Sequence, residues 1–201
     1  MRGWYRRTAG TCDGAREHQC TFVMSDSTQS QAPDSQDPYL QKLTRDLVRA
    51  PDLNAALATA LDAAIAMLHA DFGNIQLYRA GELTIAAQRG FKEPFLKTFW
   101  RVAADDDCAC GRAMRSGRPI VIRDVTVDPE FTPFRPIAAE AGYRAVQSTP
   151  LVTSTGHFVG MLSTHFREPH APRDDDMARL GAYAAVVADT IQRFVAGLLG
   201  G

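Results

Sequence analysis

The sequence predicts an α+β fold, a three-layer α/β/α sandwich in which terminal helices cover one face of a mostly antiparallel sheet and short loop helices cover the other. Three observations lead there. Apolar residues recur at helical spacing near both ends of the chain. Polar and apolar residues alternate in two pairs of segments joined by tight turns. Short helical pieces lie between the two pairs.

Residues 1–38 carry no periodicity, and SDSTQSQAPDSQDP after Met24 holds no Ile, Leu, Val or aromatic residue. They read as a disordered arm ahead of a single domain over residues 39–199. Met24 reads as an alternative start of the chain. Cys12, His18 and Cys20 are three metal-ligand types without a fourth at a zinc-like spacing, which argues against a metal site.

From Tyr39 onward Leu40, Leu43, Leu47 and Ala50 fall three and four apart, a helix that pauses at Pro51. Asp52 is placed to cap a second helix, whose Leu53, Leu57, Leu61, Ile65 and Leu68 make a greasy stripe in an Ala-rich segment. GNIQLYR and LTIAAQR turn at Ala80-Gly81-Glu82. Their apolar Ile75, Leu77, Leu83, Ile85 and Ala87 alternate with polar residues, which predicts a hairpin with one face in water.

EPFLKTFWRV is a short amphipathic piece, and DDDCACGRAMRSG an acidic loop opening a helix that Gly117 stops. Pro119 begins a strand, PIVIRDV. The loop TVDPEFTPFRP then leads into IAAEAG, a short helix ended by Gly142. YRAVQSTPLVT and HFVGMLSTHF pair around Ser154-Thr155-Gly156. Pro150 calls for an edge position or a bulge, and Gly160 for a close approach by a neighbouring backbone or helix.

In the last helix Met177, Leu180, Ala184, Val187, Ile191, Phe194 and Leu198 follow a strict alternation of three and four. That is a heptad seam, and it predicts a partner helix. Taken with the first stripe it predicts a homodimer held by Leu40, Leu43, Leu47, Leu180, Ala184, Val187, Ile191 and Phe194.

Composition narrows the function. The 201 residues suffice for one domain with an arm, and 22 Lys+Arg against 23 Asp+Glu leave a formal charge of -1. The basic excess that carries non-specific nucleic-acid affinity is missing, so neither DNA nor RNA is an expected partner. The N-terminal basic stretch reaches no apolar signal core, and no window nears the ~20 apolar residues of a membrane span. A soluble, cytoplasmic protein without a membrane partner is expected, its four cysteines too few and too scattered for a disulfide framework.

The stretch CGRAMRSGRPIVIRDVTVDPEF, followed by AAEAGYRAVQSTPLVTSTGHFVGMLSTHF, resembles the GAF domain family of bacterial signalling proteins over roughly residues 53–193. There a Cys-Gly-x-Ala helix leads to a Val-x-Asp-Val strand and an Ala-Gly-hydrophobic turn. The resemblance implies a GAF-like sandwich that binds a small molecule and acts in signal transduction, with a partner such as a histidine kinase. It specifies no cofactor. The chain lacks the Asn-Lys-x-Asp-Glu signature of cyclic-nucleotide GAF domains and the Asp-Ile-Pro segment of phytochrome-like ones.

The candidate pocket comprises Phe99, Trp100, Cys110, Phe131, Phe134, Ser148, Met161, Ser163 and His165, with Ile75, Leu77 and Val146 on the same strands read as ordinary core. Arg123, Asp124, Arg135 and Arg144 are candidates to orient a ligand or to sit in solvent. Cys108 and Cys110 stand at a helix start, which favours a thiolate, directly after Asp105, Asp106 and Asp107, which oppose one. The alternative function is a thiol-based redox enzyme or sensor related to free methionine-(R)-sulfoxide reductase, a GAF-fold enzyme with a cysteine in a matching helix. That family draws further thiols from later segments, and here no cysteine follows Cys110. The expected protein is therefore not an enzyme, and Cys110 is expected to be a pocket-lining small hydrophobe.

Overall fold

A computed structural model describes residues 37–199; the remainder of the expected arm, with Cys12, His18, Cys20 and Met24, lies outside the described residues. The first helix begins at Pro38, one residue ahead of Tyr39. The Asp37 carboxylate accepts from the backbone N–H groups of Tyr39 and Leu40, capping α1 (Pro38–Val48), and pairs with Arg179 at 3.0 Å. Asp52 caps α2 (Leu53–Leu68) by accepting from the Ala55 N–H at 2.8 Å.

The sheet contains β1 (Phe72–Arg79), β2 (Glu82–Arg89), β3 (Arg101–Val102), β4 (Ile120–Ile122), β5 (Ala145–Val152) and β6 (Phe158–Phe166). Its order is β3-β2-β1-β6-β5-β4 and every pair is antiparallel. Between the strands lie α3 (Glu93–Thr98), α4 (Ala109–Ser116), a 3-10 turn at Thr132–Phe134 and α5 (Arg135–Ala141); α6 (Asp174–Leu199) closes the chain. α1, α2 and α6 pack on one face of the sheet around Leu61, Ile75, Leu162 and Leu180, while α3, α4 and α5 cover the other around Phe95, Val146 and Met161. The predicted sandwich is the observed one.

Pro150 sits in β5 beyond Ser148, where β4 has ended, so the strand has a single neighbour at the residue that lacks an N–H. Gly160 faces the backbone of β1 at Leu77.

Three expectations need correction. The polar side of β1 is not the wet face of the hairpin: Asn74 and Gln76 are buried beneath α3 and α4, because the loop helices cover it, while exposed Ala86 and half-buried Thr84 lie in β2. Nor do its five apolar residues share a face. Ile75 pairs with Ala87 but Gln76 with Ile85, so Ala86 is an extra residue in β2, and this bulge turns Ala87 toward the terminal helices while Leu83 and Ile85 face the loop helices.

The predicted dimer seam is largely internal. Leu43, Leu47, Leu180, Ala184, Val187 and Ile191 are buried within the protomer, and Leu40 and Phe194 pack against the same cluster half-buried. Tyr183 and Ala188 are buried beside them, so the apolar face of α6 is too broad for a coiled-coil seam. The helix that the heptad spacing calls for is supplied by α1 and α2 of the same chain, and the sheet takes the rest.

Candidate functional site

β1, β5 and β6 are the floor of the site, and the loop helices are its roof. Antiparallel pairing places Asn74 opposite Ser163, Gln76 opposite Met161, Ser148 opposite Ser163, and Val146 opposite His165, so all of these share one face. α3 brings Phe95 over them, and Phe99 follows as its C-cap. α4 brings Cys110, the loop before α5 brings Phe131, and Gly142 at φ 81 ends α5 so that Tyr143 turns inward.

The cavity is small, about 20 Å³, room for one water. Three buried atoms in its lining residues have no hydrogen-bond partner: Asn74 Oδ1, Gln76 Oε1 and His165 Nδ1. Gln76 is fixed by its own amide nitrogen, which donates to the Phe99 carbonyl at 3.2 Å. The His165 ring meets Phe91 and Tyr143 edge-on at 4.8 Å each, and burial pushes its pKa down to about 3, so the imidazole is neutral at physiological pH. Each orphaned buried polar group costs about 1–3 kcal/mol. Together they form a set of hydrogen-bonding groups within an aromatic wall.

The sulfur of Cys110 has polar company. It lies 3.4 Å from Ser148 Oγ and 3.2 Å from Ser163 Oγ, which are 2.8 Å from each other. The neighbouring Cys108 thiol, followed by the two serine hydroxyls, draws Cys110 below its ordinary range against the effect of burial. Cys108, beside Cys110 and deeply buried, is pushed far up. Two of the three upstream carboxylates are engaged elsewhere: Asp106 accepts from the Ala103 N–H at 2.7 Å and Asp107 pairs with Arg115. Cys110 is thus a polarised thiol and not merely a small hydrophobe.

Of the residues singled out from sequence, Phe99, Cys110, Phe131 and His165 line the cavity. Ser148 and Ser163 support the Cys110 sulfur, Met161 is fully buried in the surrounding core, and Phe134 packs on Phe99 and Phe131. Trp100 is misplaced: it is 52% exposed, because α3 ends at Thr98 and the chain turns into β3 with that ring outward. Ile75 and Leu77 face the terminal helices, while Val146 lines the cavity.

Asn74, Gln76, Phe95 and Tyr143 were missed. The amides alternate with Ile75 and Leu77 and looked like the solvent side of a hairpin; two amides two residues apart on a central strand were the available signal.

The charged candidates hold loops. Asp124 pairs with Arg144 and accepts from Thr126, while Arg135 donates to the Val125 and Asp128 carbonyls. Arg112, from the Cys-Gly-Arg-Ala helix, grips Asp128 with one nitrogen at 3.0 and 3.1 Å and pairs with Glu130. This clamp sets the loop that carries Phe131, whose N–H donates to the same Asp128 carboxylate. A larger groove of about 400 Å³ lies between the end of α6 and β1, β2 and β6, but none of its lining residues has a buried unpartnered polar atom.

Comparison with known proteins identifies the architecture. A family model described as GAF domain matches residues 50–192. A methyl sulfide methyltransferase-associated sensor of Methanosarcina acetivorans is 29% identical over 80 residues, which are 39% of this chain and 8% of that protein. The GAF domain of a phosphoenolpyruvate-protein phosphotransferase from Coxiella burnetii superposes with a TM-score of 0.69 at 21% identity, over 80% of this chain and 95% of that one. Free methionine-R-sulfoxide reductase from Neisseria meningitidis, in complex with its substrate, gives 0.64 at 19% identity, over 85% and 98%. At these identities the structural likenesses bear on the fold alone.

Proposed function

Because the chain belongs to the GAF domain family, we propose that it is a non-enzymatic sensory domain that binds a small molecule between the sheet and the α3–α5 layer. The observation that carries this reading is the convergence of Asn74 Oδ1, Gln76 Oε1 and His165 Nδ1, all buried and unpartnered, on one cavity walled by Phe95, Phe99, Phe131 and Tyr143. A bound molecule offering donors to these atoms offsets their desolvation. The cavity must widen to admit it. The roof is built from short elements, α3, α4 and α5, which are better able to move than the three long helices behind the sheet.

Occupancy is passed to the helical layer across β1 and β6, whose opposite faces pack on α2 and α6. Arg179 to Asp37 and Arg193 to the Val48 carbonyl tie α6 to α1, so the two move together. A second copy of the chain then meets this layer through Tyr39 and Val48, the exposed large side chains of α1, in place of the buried seam. The output partner is a signalling protein such as a histidine kinase, and the protein works in the cytoplasm. Among the described residues no helix is long and apolar enough to cross a membrane.

The reductase alternative receives less support. Cys108 and Cys110 are the free cysteines of the described residues, with no thiol on the later strands to complete a relay.

Native mass spectrometry of the full chain, against the same sample denatured, tests the reading. A mass excess that disappears on denaturation is the expected result and gives the ligand mass; bare protein that also fails to bind any member of a metabolite library overturns it. Sedimentation at tens of micromolar tests the dimer separately, and a monomer removes it.

A further inference from the structure

We propose that Cys110 is a site of oxidation by a small hydroperoxide, and that Cys108 then captures the oxidised sulfur in an intramolecular disulfide. This does not depend on the ligand-binding reading, since it needs only the two thiols, their neighbours and a water-sized cavity. Cys110 lies in the first turn of α4, separated from Cys108 at the cap by Ala109 alone, so the two thiols stand at the same helix end. Its sulfur is within hydrogen-bonding distance of two buried hydroxyls that also contact each other. As a neutral thiol, Cys110 closes a ring with Ser148 and Ser163 in which each group donates once. Once ionised, the sulfur accepts from a serine hydroxyl that the second serine supports. The first-turn N–H groups of α4 favour the negative charge as well.

The other titratable groups around the sulfur leave this balance in place. On its own segment they are Cys108, far above its ordinary range, and Asp106, engaged with the Ala103 N–H. Tyr143, ahead of β5, is pushed up by burial and stays a phenol, and His165 on β6 is neutral. β1 and α3 present only amides and phenylalanines to the cavity. Cys110, whose sulfur the two serine hydroxyls support and which is drawn below its ordinary range, is therefore the nucleophile, and Cys108 is the resolving group.

The cavity selects the oxidant. At about 20 Å³ it accommodates hydrogen peroxide more readily than any bulky peroxide, and the unpartnered amide oxygens of Asn74 and Gln76 are acceptors for the O–H groups. In the first step the Cys110 thiolate attacks one peroxide oxygen. The S–O bond forms, the O–O bond breaks, and hydroxide leaves and takes up the proton that the Cys110 thiol released on ionising, giving water, so sulfur is oxidised by two electrons and peroxide reduced by two. In the second step Cys108 sulfur attacks the Cys110 sulfenic acid. The S–S bond forms, the S–OH bond breaks, and hydroxide departs with the Cys108 proton as water. The balance is two thiols and one hydrogen peroxide giving one disulfide and two waters. The new bond spans Ala109 and rearranges the first turn of α4, where Gly111 is so tightly seated that a Cβ would stand 2.1 Å from the Asp106 carbonyl oxygen. The roof of the cavity would move with it.

Trypsin releases residues 102–112 as one peptide holding both cysteines and neither Cys12 nor Cys20. After one equivalent of hydrogen peroxide on the folded chain, this peptide is expected to resist alkylation, to have lost two hydrogens, and to recover both thiols with dithiothreitol. In Cys108→Ser, dimedone labels Cys110. In Cys110→Ser, Cys108 takes no label. A folded Ser148→Ala, Ser163→Ala variant reacts about tenfold more slowly at a pH below the thiolate midpoint, as expected for a rise of about one pKa unit. The proposal is overturned if peptide 102–112 of the folded chain keeps both thiols under conditions that oxidise it in the urea-unfolded chain, or if dimedone labels Cys108 in Cys110→Ser as fast as it labels Cys110 in Cys108→Ser. Neither result touches the bound-ligand mass measurement, so the two readings fail separately.

Discussion

Gly160 on β6 lies so close to Gln76 on β1 that a Cβ at position 160 would stand 2.2 Å from the Gln76 carbonyl oxygen. The neighbour is backbone in a central strand pair, so no side chain can swing aside. Gly160→Ala is expected to destabilise the domain by about 1–3 kcal/mol, as overpacking does, and to disturb Gln76 in the cavity as well. Urea titration reads the first effect. A variant as stable as the wild type would mean that β1 and β6 can separate freely.

Asn74 contributes an unpartnered oxygen at 2% exposure. If it serves a ligand, the empty domain gains nothing from its polarity. Asn74→Leu is then expected to leave the ligand-free protein unchanged or raise its stability by up to about 1 kcal/mol, while weakening ligand binding at least tenfold. Thermal denaturation with and without the ligand found by mass spectrometry separates the two effects. A clear loss of ligand-free stability would identify Asn74 as a structural amide.

His165 makes stability depend on pH. Its folded pKa, about 3, lies below the ordinary 6.5, so the unfolded chain takes up the proton first and stability rises with pH between these values. Acidification through 6.5 should begin to destabilise the domain, by roughly 2 kcal/mol at about pH 5, with the full effect reached near pH 3. His170, also lowered by burial, adds in the same direction. Asp124, held below its usual 3.8 chiefly by Thr126, begins to lose its contribution as pH falls through 3.8, so it overlaps the acid end of this window. Urea midpoints of wild type and His165→Gln across this range check the assignment, and identical slopes would refute it.

Ile191 separates what the sequence made legible from what it did not. The spacing of Leu180, Ala184, Val187 and Ile191 located a helix and its apolar face correctly, because periodicity is a property of one element. Which surface covers that face depends on chain elements far away in sequence, and here α1, α2 and the sheet cover it inside one protomer. Asn74 and Gln76 failed for a similar reason. Alternation marks the two faces of a strand without saying which is dry, and a roof of short helices reversed the usual assignment. Ile191→Ala should therefore cost about 2–5 kcal/mol of protomer stability and leave the oligomeric state of the folded protein unchanged. A folded variant of altered mass in sedimentation would restore the intermolecular seam.

Arg112 connects the Cys-Gly-Arg-Ala helix to the loop that closes the cavity. Its guanidinium and the Asp128 carboxylate are each only 19% exposed, so the pair is screened less than a surface bridge. Asp128 also accepts from the Phe131 N–H at 3.0 Å, which places the loop carrying Phe131 one hydrogen bond away from Arg112. Removing the cation leaves that carboxylate half-solvated and its loop less restrained, while the sheet and the helices behind it are untouched. Arg112→Ala is expected to cost about 1–3 kcal/mol and to speed amide exchange selectively in residues 128–134. Arg112→Lys should recover part of the charge without the geometry that lets one side chain reach both Asp128 and Glu130. If the clamp sets the roof, ligand affinity falls in the order wild type, Lys, Ala, and exchange rises in the same order. Uniform exchange across the domain would instead make Arg112 a general stabiliser with no particular hold on the site.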